Sequence, residues 1–356
     1  MGRFRCDDTF KQDMEEYTGN ILLKYGGYSP SAERELMCLT DKGNIIAAKM
    51  YADLVFYGRI LRVSQYREAF DLYLNAAGIT IGDDGVWSVT GRSYPLAMYS
   101  LSFYLVNYRK GSVLKECEKI DRIENMSLNC RIKTALELAL SCLEHVNSPD
   151  AINIIGRILQ MASVEDGLYA DLKEIIDSDI SGREFPVISL SVGQCSDMGE
   201  CGDTARCFFE ASAREGYVYA GNNLAAKEAE RIVIMNGTGD DGDSVKKSVE
   251  RYINYLKLSA DKYEPYAANR LGMFYINGEI SVNGRRAVFR EYANKALAKE
   301  YFKKATVYPD MNSAWAFYNL IKYFHKDYDN NIELMNEHMD YIKKLNTKVY
   351  DLAMEL

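Results

Sequence analysis

One short motif constrains the fold of this chain more than any other feature. In AANRLGMFYING, Ala267 is followed by Leu271 four places later, by Gly272 at place five and by Tyr275 at place eight. In a helix, places four and eight share one face, and a small residue at place five lets a partner helix come close. Gly278, at place eleven, is typical of a helix end. The motif therefore predicts the first helix of a helical hairpin.

Weaker copies of this spacing recur along the chain. We call the small residue that opens each copy its anchor; the anchors are Ala47, Ala97, Ala151, Ala220, Ala267 and Ala316. A second pattern, Ala followed by aromatic residues, marks a return helix, as at Ala298 with Tyr301 and Phe302. Two agreeing patterns predict an array in which each hairpin buries its apolar face against its neighbours.

The pattern divides the chain into three predicted parts. They are N-terminal capping helices, a helical-repeat array and a C-terminal capping helix, over residues 1–40, 41–326 and 327–356. Long insertions interrupt the array at 78–95, 178–203 and 279–292. Alternating apolar and polar residues are scarce, and only the stretch FPVISLSVG, residues 185–193, reads as extended, as a short strand or a loop.

Composition narrows the class of protein. The 356 residues are 47% hydrophobic and 26% charged, which is typical of an ordered, soluble chain. A net charge of -8 disfavours nucleic-acid binding, and no apolar run is long enough to span a bilayer or form a signal peptide. Eight cysteines in a chain of this length are typical of free thiols in a reducing compartment. We therefore expect a cytoplasmic protein that binds neither nucleic acid nor membrane.

The string A-x3-LG-x2-Y-x2-G, followed by a return helix of the form A-x2-YF-x2-A, resembles the Sel-one-like repeat. That family belongs to the tetratricopeptide-like helical-repeat superfamily. The resemblance is sharpest over residues 267–305, good over 47–78 and weak between 100 and 200, and the anchors lie close to 50 residues apart, farther than is usual in the family. It implies an all-α fold, a right-handed α-solenoid (superhelix) of antiparallel helix pairs with a concave surface lined by first helices. It also implies protein–protein scaffolding rather than catalysis.

The resemblance also implies which residues line the concave groove. They stand two places before and two places after the large place-four residue of each first helix: Lys49, Asp53, Tyr99, Phe103, Asn153, Arg157, Asn222, Asn269, Met273, Tyr318 and Lys322. An asparagine occupies the earlier position in three helices, and its amide can hold an extended peptide backbone. The alternative is that these asparagines are simply solvated. The acidic net charge favours a partner with basic segments.

Candidate chemical sites are few. Cys195, Cys201 and Cys207 are six residues apart, which does not match the ligand pairs of a zinc site, so we expect free thiols, with a disulfide or a metal as alternatives. Three histidines leave little room for His-based catalysis, and the nucleophile-elbow and phosphate-loop motifs do not occur. The acidic turn at 236–244 lacks the carboxylate spacing of an EF-hand. Trp87, in the first insertion, either seals a repeat edge or is an exposed anchor.

The sequence therefore predicts a non-enzymatic scaffold or adaptor that binds a peptide or protein segment in the groove of a helical-repeat superhelix. No catalytic, cofactor or metal residue is predicted, and the oligomeric state stays open. One alternative is a regulatory protein that senses a peptide or small ligand on the same solenoid. A second is an enzyme accessory subunit whose site lies in the irregular stretch 160–204.

Overall fold

The structure is a computed structural model. It describes residues 29–56, 65–83, 85–108, 120–162, 166–181, 204–239, 242–308, 312–328 and 331–356. The chain forms two compact units, Met1–Ala211 and Ser212–Leu356. The described residues are mostly helical, which confirms the predicted all-α class. The extended stretch predicted at 185–193 lies outside the described residues.

The first unit contains a succession of helices with one small β-hairpin. Its helices are α1 (Pro30–Asp41), α2 (Ile45–Phe56), α3 (Gln65–Ala76), α4 (Pro95–Asn107), α5 (Asp121–Glu124), α6 (Leu128–His145), α7 (Pro149–Ala162), α8 (Asp166–Ser181) and α9 (Thr204–Arg214). The hairpin strands are β1 (Ile79–Ile81) and β2 (Trp87–Val89), which are antiparallel. The boundary between the units falls within α9.

The second unit also consists of helices with one small β-hairpin. Its helices are α10 (Val218–Thr238), α11 (Gly242–Ala260), α12 (Pro265–Asn277), α13 (Lys295–Lys304), α14 (Ser313–Tyr323), α15 (Ile332–Leu345) and α16 (Thr347–Ala353). Strands β3 (Glu279–Val282) and β4 (Arg285–Val288) form an antiparallel hairpin, and short 3-10 helices span Arg290–Tyr292 and His325–Asp327.

Helix α12 shows why the motif sequence forms this element. Glu264 caps its start by accepting hydrogen bonds from the backbone N–H groups of Tyr266 and Ala267, at 3.1 and 2.7 Å, and Pro265 occupies the first turn. Gly278 ends it in the left-handed conformation, with φ at 61°, which few other residues adopt without strain. The predicted helix end at Gly278 is therefore confirmed.

The small residue at place five permits close helix packing, as predicted. A Cβ built on Gly272 of α12 would lie 2.5 Å from the ring of Phe302 on α13. The same is true in the first unit, where a Cβ on Gly156 of α7 would lie 2.7 Å from Phe209 on α9. Leu271, the large residue at place four, is fully buried. The spacing thus encodes a core in which return-helix rings fill the gaps left by small residues.

Within each unit, helices pack mainly against their neighbours in sequence. Helices α10 to α16 contact one another in chain order, and α12 also contacts α14, while in the first unit α4 also contacts α7. This neighbour-to-neighbour packing is what helical repeats require, because no single hairpin can bury its own apolar face.

The first insertion forms the β1–β2 hairpin. Ile81 pairs with Trp87, and the Trp87 side chain is buried with its ring 6.0 Å from the ring of Phe70 on α3. Trp87 is therefore a buried residue that packs on α3 rather than an exposed anchor, although its indole N–H has no hydrogen-bond partner among the described residues. Gly78 has φ at 61° and lies against the carbonyl of Gly91, so the hairpin closes on a glycine.

The third insertion, 279–292, also forms a hairpin, which the sequence analysis missed. Its turn is Asn283-Gly284, and both residues have positive φ, at 50° and 77°. Asn-Gly is the strongest short signal for a two-residue hairpin turn, so this element was readable from the sequence. We predicted only an insertion here because the residues on either side have helical periodicity.

One end of the chain differs from its predicted cap. Of the predicted N-terminal cap, the structure describes α1, which packs on α2. At the other end, residues 332–353 form two helices rather than one, and both pack on α14. The ring of Tyr341 stacks on Phe317 with centroids 5.1 Å apart. None of the described helices combines the length and the apolar composition that crossing a membrane requires.

Candidate functional site

The predicted groove residues of the first unit lie on the first helices α2, α4 and α7, and several of them meet. The rings of Phe56 on α2 and Phe103 on α4 are 6.2 Å apart. The guanidinium of Arg157 on α7 lies 5.9 Å from the Phe103 ring and donates a 2.8 Å hydrogen bond to Asn107 Oδ1 on α4. Tyr99 adds a further ring 6.2 Å from Phe103. These contacts join the three first helices α2, α4 and α7. We call the whole set the first-unit row: Lys49, Asp53, Phe56, Tyr99, Phe103, Asn107 and Arg157.

The two charged residues at the start of this row neutralise each other. Lys49 Nζ lies 2.6 Å from Asp53 Oδ2, one helical turn away, and the Tyr73 hydroxyl of the return helix α3 donates a 2.9 Å hydrogen bond to Asp53 Oδ1. An ion pair of this kind on a partly exposed surface contributes at most about 1 kcal/mol to stability. Its effect on recognition is to leave this end of the row without net charge.

Asn153 does not belong to an accessible surface. Only 4% of the residue is exposed, because α7 is surrounded by contacts from α4, α6 and α8. The prediction that its amide faces a groove is therefore wrong. The position was selected by counting from the place-four residue, and that count does not reveal how many helices pack around α7.

In the second unit, Asn222 on α10 contacts the start of α12. Its side-chain nitrogen donates a 2.9 Å hydrogen bond to Glu264 Oε2, which also caps α12. Its side-chain oxygen is buried and has no hydrogen-bond partner in the structure. Asn222 is therefore neither the peptide clamp nor the solvated residue that the sequence suggested. It holds two first helices together.

Asn269 plays a similar part between α12 and α14. Its side-chain oxygen accepts a 3.0 Å hydrogen bond from Asn319 on α14. Met273, one turn farther along α12, is partly buried against the hydrophobic core of this unit. The first helices α10, α12 and α14 are thus linked in order by side-chain amides.

An aromatic residue precedes the anchor in each of these three helices, and sequence reasoning missed this series. Tyr219, Tyr266 and Trp315 stand one place before Ala220, Ala267 and Ala316, and they are 53%, 38% and 41% exposed. They lie three residues before Asn222, Asn269 and Tyr318, and residues three and four apart share a helix face. The signal was present in the sequence, since the same residue class recurs at one place in three copies.

The aromatic and cationic side chains of this face contact each other. The rings of Trp315 and Tyr318 are 5.9 Å apart, and Lys322 Nζ lies 5.4 Å from the Tyr318 ring. Arg270, also missed from the sequence, lies 5.8 Å from the Tyr266 ring and donates a 3.1 Å hydrogen bond to the Tyr266 hydroxyl. We call the whole set the second-unit row: Tyr219, Asn222, Tyr266, Asn269, Arg270, Met273, Trp315, Tyr318 and Lys322.

Burial and neighbouring side chains shift the pKa values of two groups at this row, the Tyr252 phenol and the Arg270 guanidinium. Burial raises the pKa of the Tyr252 phenol, whose hydroxyl lies 3.5 Å from Arg270 Nε. Burial alone would lower the pKa of Arg270, but its contacts with Tyr252 and Tyr266 outweigh that effect and raise the pKa. The guanidinium therefore stays charged, and the phenol stays protonated, throughout the physiological pH range.

Within the described residues, no group of three or more His, Cys, Asp or Glu side chains could hold a metal ion. His325 is exposed. An open cleft of about 380 Å³ is lined by Met235, Lys246, Phe289, Glu291 and Tyr292 among others.

The cysteine prediction is partly corrected. Cys195 and Cys201 lie outside the described residues. Cys207 is buried in α9, as expected for a core residue, but it is disulfide-bonded. The expectation of a free thiol, which supported a reducing compartment, is therefore wrong at this residue. Cys38, Cys130 and Cys142 form no disulfide.

Comparisons with protein-family models and with curated protein sequences found no match. The resemblance to Sel-one-like repeats therefore stays a prediction that rests on the motif spacing. The evidence for the first-unit row and the second-unit row is their side-chain contacts and exposure.

Proposed function

We propose that this protein is a non-enzymatic scaffold or adaptor, a Sel-like, tetratricopeptide-like solenoid of helix pairs. Its first-helix rows bind a peptide or protein segment. The observation that carries this proposal is the second-unit row, in which an exposed aromatic residue recurs once per first helix and the amides of Asn222 and Asn269 tie neighbouring first helices together. Exposed aromatic residues on a rigid support are the usual anchors of protein interfaces.

The rigidity of the support strengthens the proposal. The side chains of the row project from helices, not loops, and the helices are joined by hydrogen bonds of 2.9 and 3.0 Å between side chains. A surface that is ordered before binding loses little conformational entropy when a partner docks, so more of its contact energy appears as affinity. We propose a cytoplasmic location as well, on the support of three cysteines that form no disulfide, Cys38, Cys130 and Cys142, and against the disulfide at Cys207.

The test is a pull-down from the native host with the full chain, followed by binding measurements with each captured protein after its purification. The variant is Trp315→Ala with Tyr318→Ala, because these rings belong to the row and neither bridges two first helices. We expect affinity for the purified partner to fall by about 2 kcal/mol or more, the usual cost of removing an interface anchor.

The matched control is Tyr308→Ala, which removes a ring of similar size that is 67% exposed and lies outside the first helices. It should leave binding unchanged. Full binding by the double variant, or equal loss in the control, would contradict the proposed site. Substitution of Asn222 or Asn269 is a poorer test, because it would also loosen the contacts between helices.

A further inference from the structure

The charges of the second-unit row differ in kind from those of the whole chain. Helix α12, PYAANRLGMFYIN, contains one charged residue, Arg270, and helix α14, SAWAFYNLIKY, contains one, Lys322. Neither helix contains Asp or Glu. A chain with a net charge of -8 therefore presents two neighbouring first helices whose only charges are positive.

Both cations lack a carboxylate partner among the described residues. Arg270 contacts the hydroxyls of Tyr252 and Tyr266, and a guanidinium has five N–H donors, so donors remain for an anion. Among the described residues, the contacts of Lys322 are with aromatic rings, at 5.4 Å from Tyr318 and 5.5 Å from Tyr323. An ammonium held against rings without an acceptor is well placed to bind a carboxylate.

Two lysines on the return helix α13 behave differently. Lys299 forms a 2.6 Å ion pair with Asp327, and Lys304 forms a 2.9 Å ion pair with Asp261. The unit thus neutralises these two lysines but leaves the cations of the first-helix row available. The difference follows from the sequences of α12 and α14, which supply no acidic residue at helical spacing.

The amides between the cations suit a peptide backbone. Asn269 uses its side-chain oxygen to accept from Asn319, and the Asn269 side-chain N–H₂ has no partner among the described residues. It is partly exposed, so it can donate to a backbone carbonyl of a bound segment. Tyr266 and Trp315 flank it on the same face and offer apolar surface to the side chains of that segment.

We propose that the second-unit row binds an acidic segment of a partner protein in an extended conformation. Carboxylates of the segment pair with Arg270 and Lys322, and a backbone carbonyl accepts from Asn269. This inference rests on the proposed function and names its ligand class. It differs from the basic partner that net charge predicts, because a binding site responds to the charges within about one Debye length, about 8 Å at physiological salt, more than to the total.

The experiment is a selection from a random peptide library displayed on phage, with the full chain as bait. Wild-type protein should enrich peptides rich in Asp and Glu that also carry an aromatic or apolar residue. The strongest peptide is then synthesised, together with a copy in which each Asp and Glu is replaced by Asn and Gln. The amide copy should bind at least about 10-fold more weakly if charge pairing drives recognition.

The matched variants change net charge equally at different places. Arg270→Glu with Lys322→Glu should weaken binding of the acidic peptide by at least about 10-fold, whereas Lys247→Glu with Lys303→Glu, at exposed positions on α11 and α13, should leave it unchanged. Circular dichroism and thermal melting of both variants check that each is folded. If the row variant does not fold, Lys322→Gln alone decides, with an expected loss of about 3-fold or more.

Each other outcome overturns the inference. Enrichment of basic or uncharged peptides, equal loss in the control variant, or displacement of the peptide by a single-stranded oligouridylate would do so, the last by identifying the row as a nucleic-acid surface. A host partner that still requires Trp315 and Tyr318 would then leave the proposed function intact. Loss of that host dependence would remove the function itself, so the two failures are distinguishable.

Discussion

The substitution Gly272→Ala tests whether the motif encodes close contact between α12 and α13, because it adds one carbon atom at that contact. The added Cβ would lie 2.5 Å from Phe302 Cδ1 and 2.9 Å from Phe302 Cζ, whereas carbon atoms prefer separations of about 3.5 to 4.0 Å. Phe302 is fully buried, so its ring cannot move into solvent. Either the ring leaves its preferred rotamer or α12 and α13 move apart by about 1 Å.

Two opposing terms set the magnitude. Alanine is favoured over glycine in a helix interior by about 1 kcal/mol. Inserting a group into a packed core costs about 1 to 3 kcal/mol, and a contact that must open by about 1 Å against a buried ring belongs to the upper half of that range. We therefore expect Gly272→Ala to lower the free energy of unfolding of the second unit by about 1 to 2 kcal/mol.

The assay is urea unfolding followed by tryptophan fluorescence. The chain has two tryptophans, Trp87 in the first unit and Trp315 in the second, so a Trp87→Phe background reports on the second unit alone. The control is Gly237→Ala near the end of α10, where no atom lies within 4 Å of the added Cβ. It should be neutral or stabilising by up to about 1 kcal/mol.

The sign of the change in the free energy of unfolding tests this reasoning. The same chemical change should destabilise at Gly272 and not at Gly237, and Phe302→Leu should partly restore stability in the Gly272→Ala background by freeing space. If Gly272→Ala stabilises the unit as much as Gly237→Ala does, the helices are not in the close contact that the motif was taken to encode.

Two further predictions concern buried polar groups of the second unit. Arg251→Ala should lower the free energy of unfolding by about 2 kcal/mol in urea titrations, because it removes the hydrogen bonds of 3.1 and 3.0 Å that Glu228, which is 2% exposed, accepts from that guanidinium; the loss is smaller than for a fully buried pair because Arg251 is 35% exposed. Burial lowers the pKa of His338, whose Nδ1 lies 2.9 Å from the Tyr328 hydroxyl, so protonation favours the unfolded chain. Stability should therefore be kept above the ordinary pKa of histidine and fall as the pH drops below it, and His338→Phe should flatten that dependence in melts across the pH series.

Local rules accounted for most of what the sequence could predict. The anchor spacing, the small residue at place five and the left-handed glycine at Gly278 each depend on atoms within one helical hairpin, so a short motif contains enough information. The burial of Trp87 was also within reach, because a lone tryptophan in a polar insertion has few other ways to lower its exposure. The Asn283-Gly284 turn is equally local, so the β3–β4 hairpin could have been predicted from the sequence as well.

What could not be predicted depends on residues distant in sequence. Asn153 and Asn222 follow the same spacing rule, yet one is buried among helices and the other bonds to the cap of the next first helix. Nothing in the sequence around either residue distinguishes these outcomes, because the partners lie on other elements, for Asn222 as far away as Glu264. The cap of a helix is itself readable from sequence, but the side chain that reaches it from a neighbouring repeat is not.

The two rows also show how internal pairing removes residues from recognition. In the first-unit row, Lys49 is paired with Asp53, and Arg157 donates to Asn107, so the polar groups found by spacing already satisfy each other. In the second-unit row, the amides of Asn222 and Asn269 satisfy neighbouring helices, while Arg270 and Lys322 have no anionic partner among the described residues. A partner gains most from groups whose interactions are incomplete, since it breaks no existing bond to reach them. Specificity in the second unit should therefore reside in the cations and exposed rings, while the asparagines hold the first helices together and Asn269 keeps its N–H₂ group for the backbone of the partner.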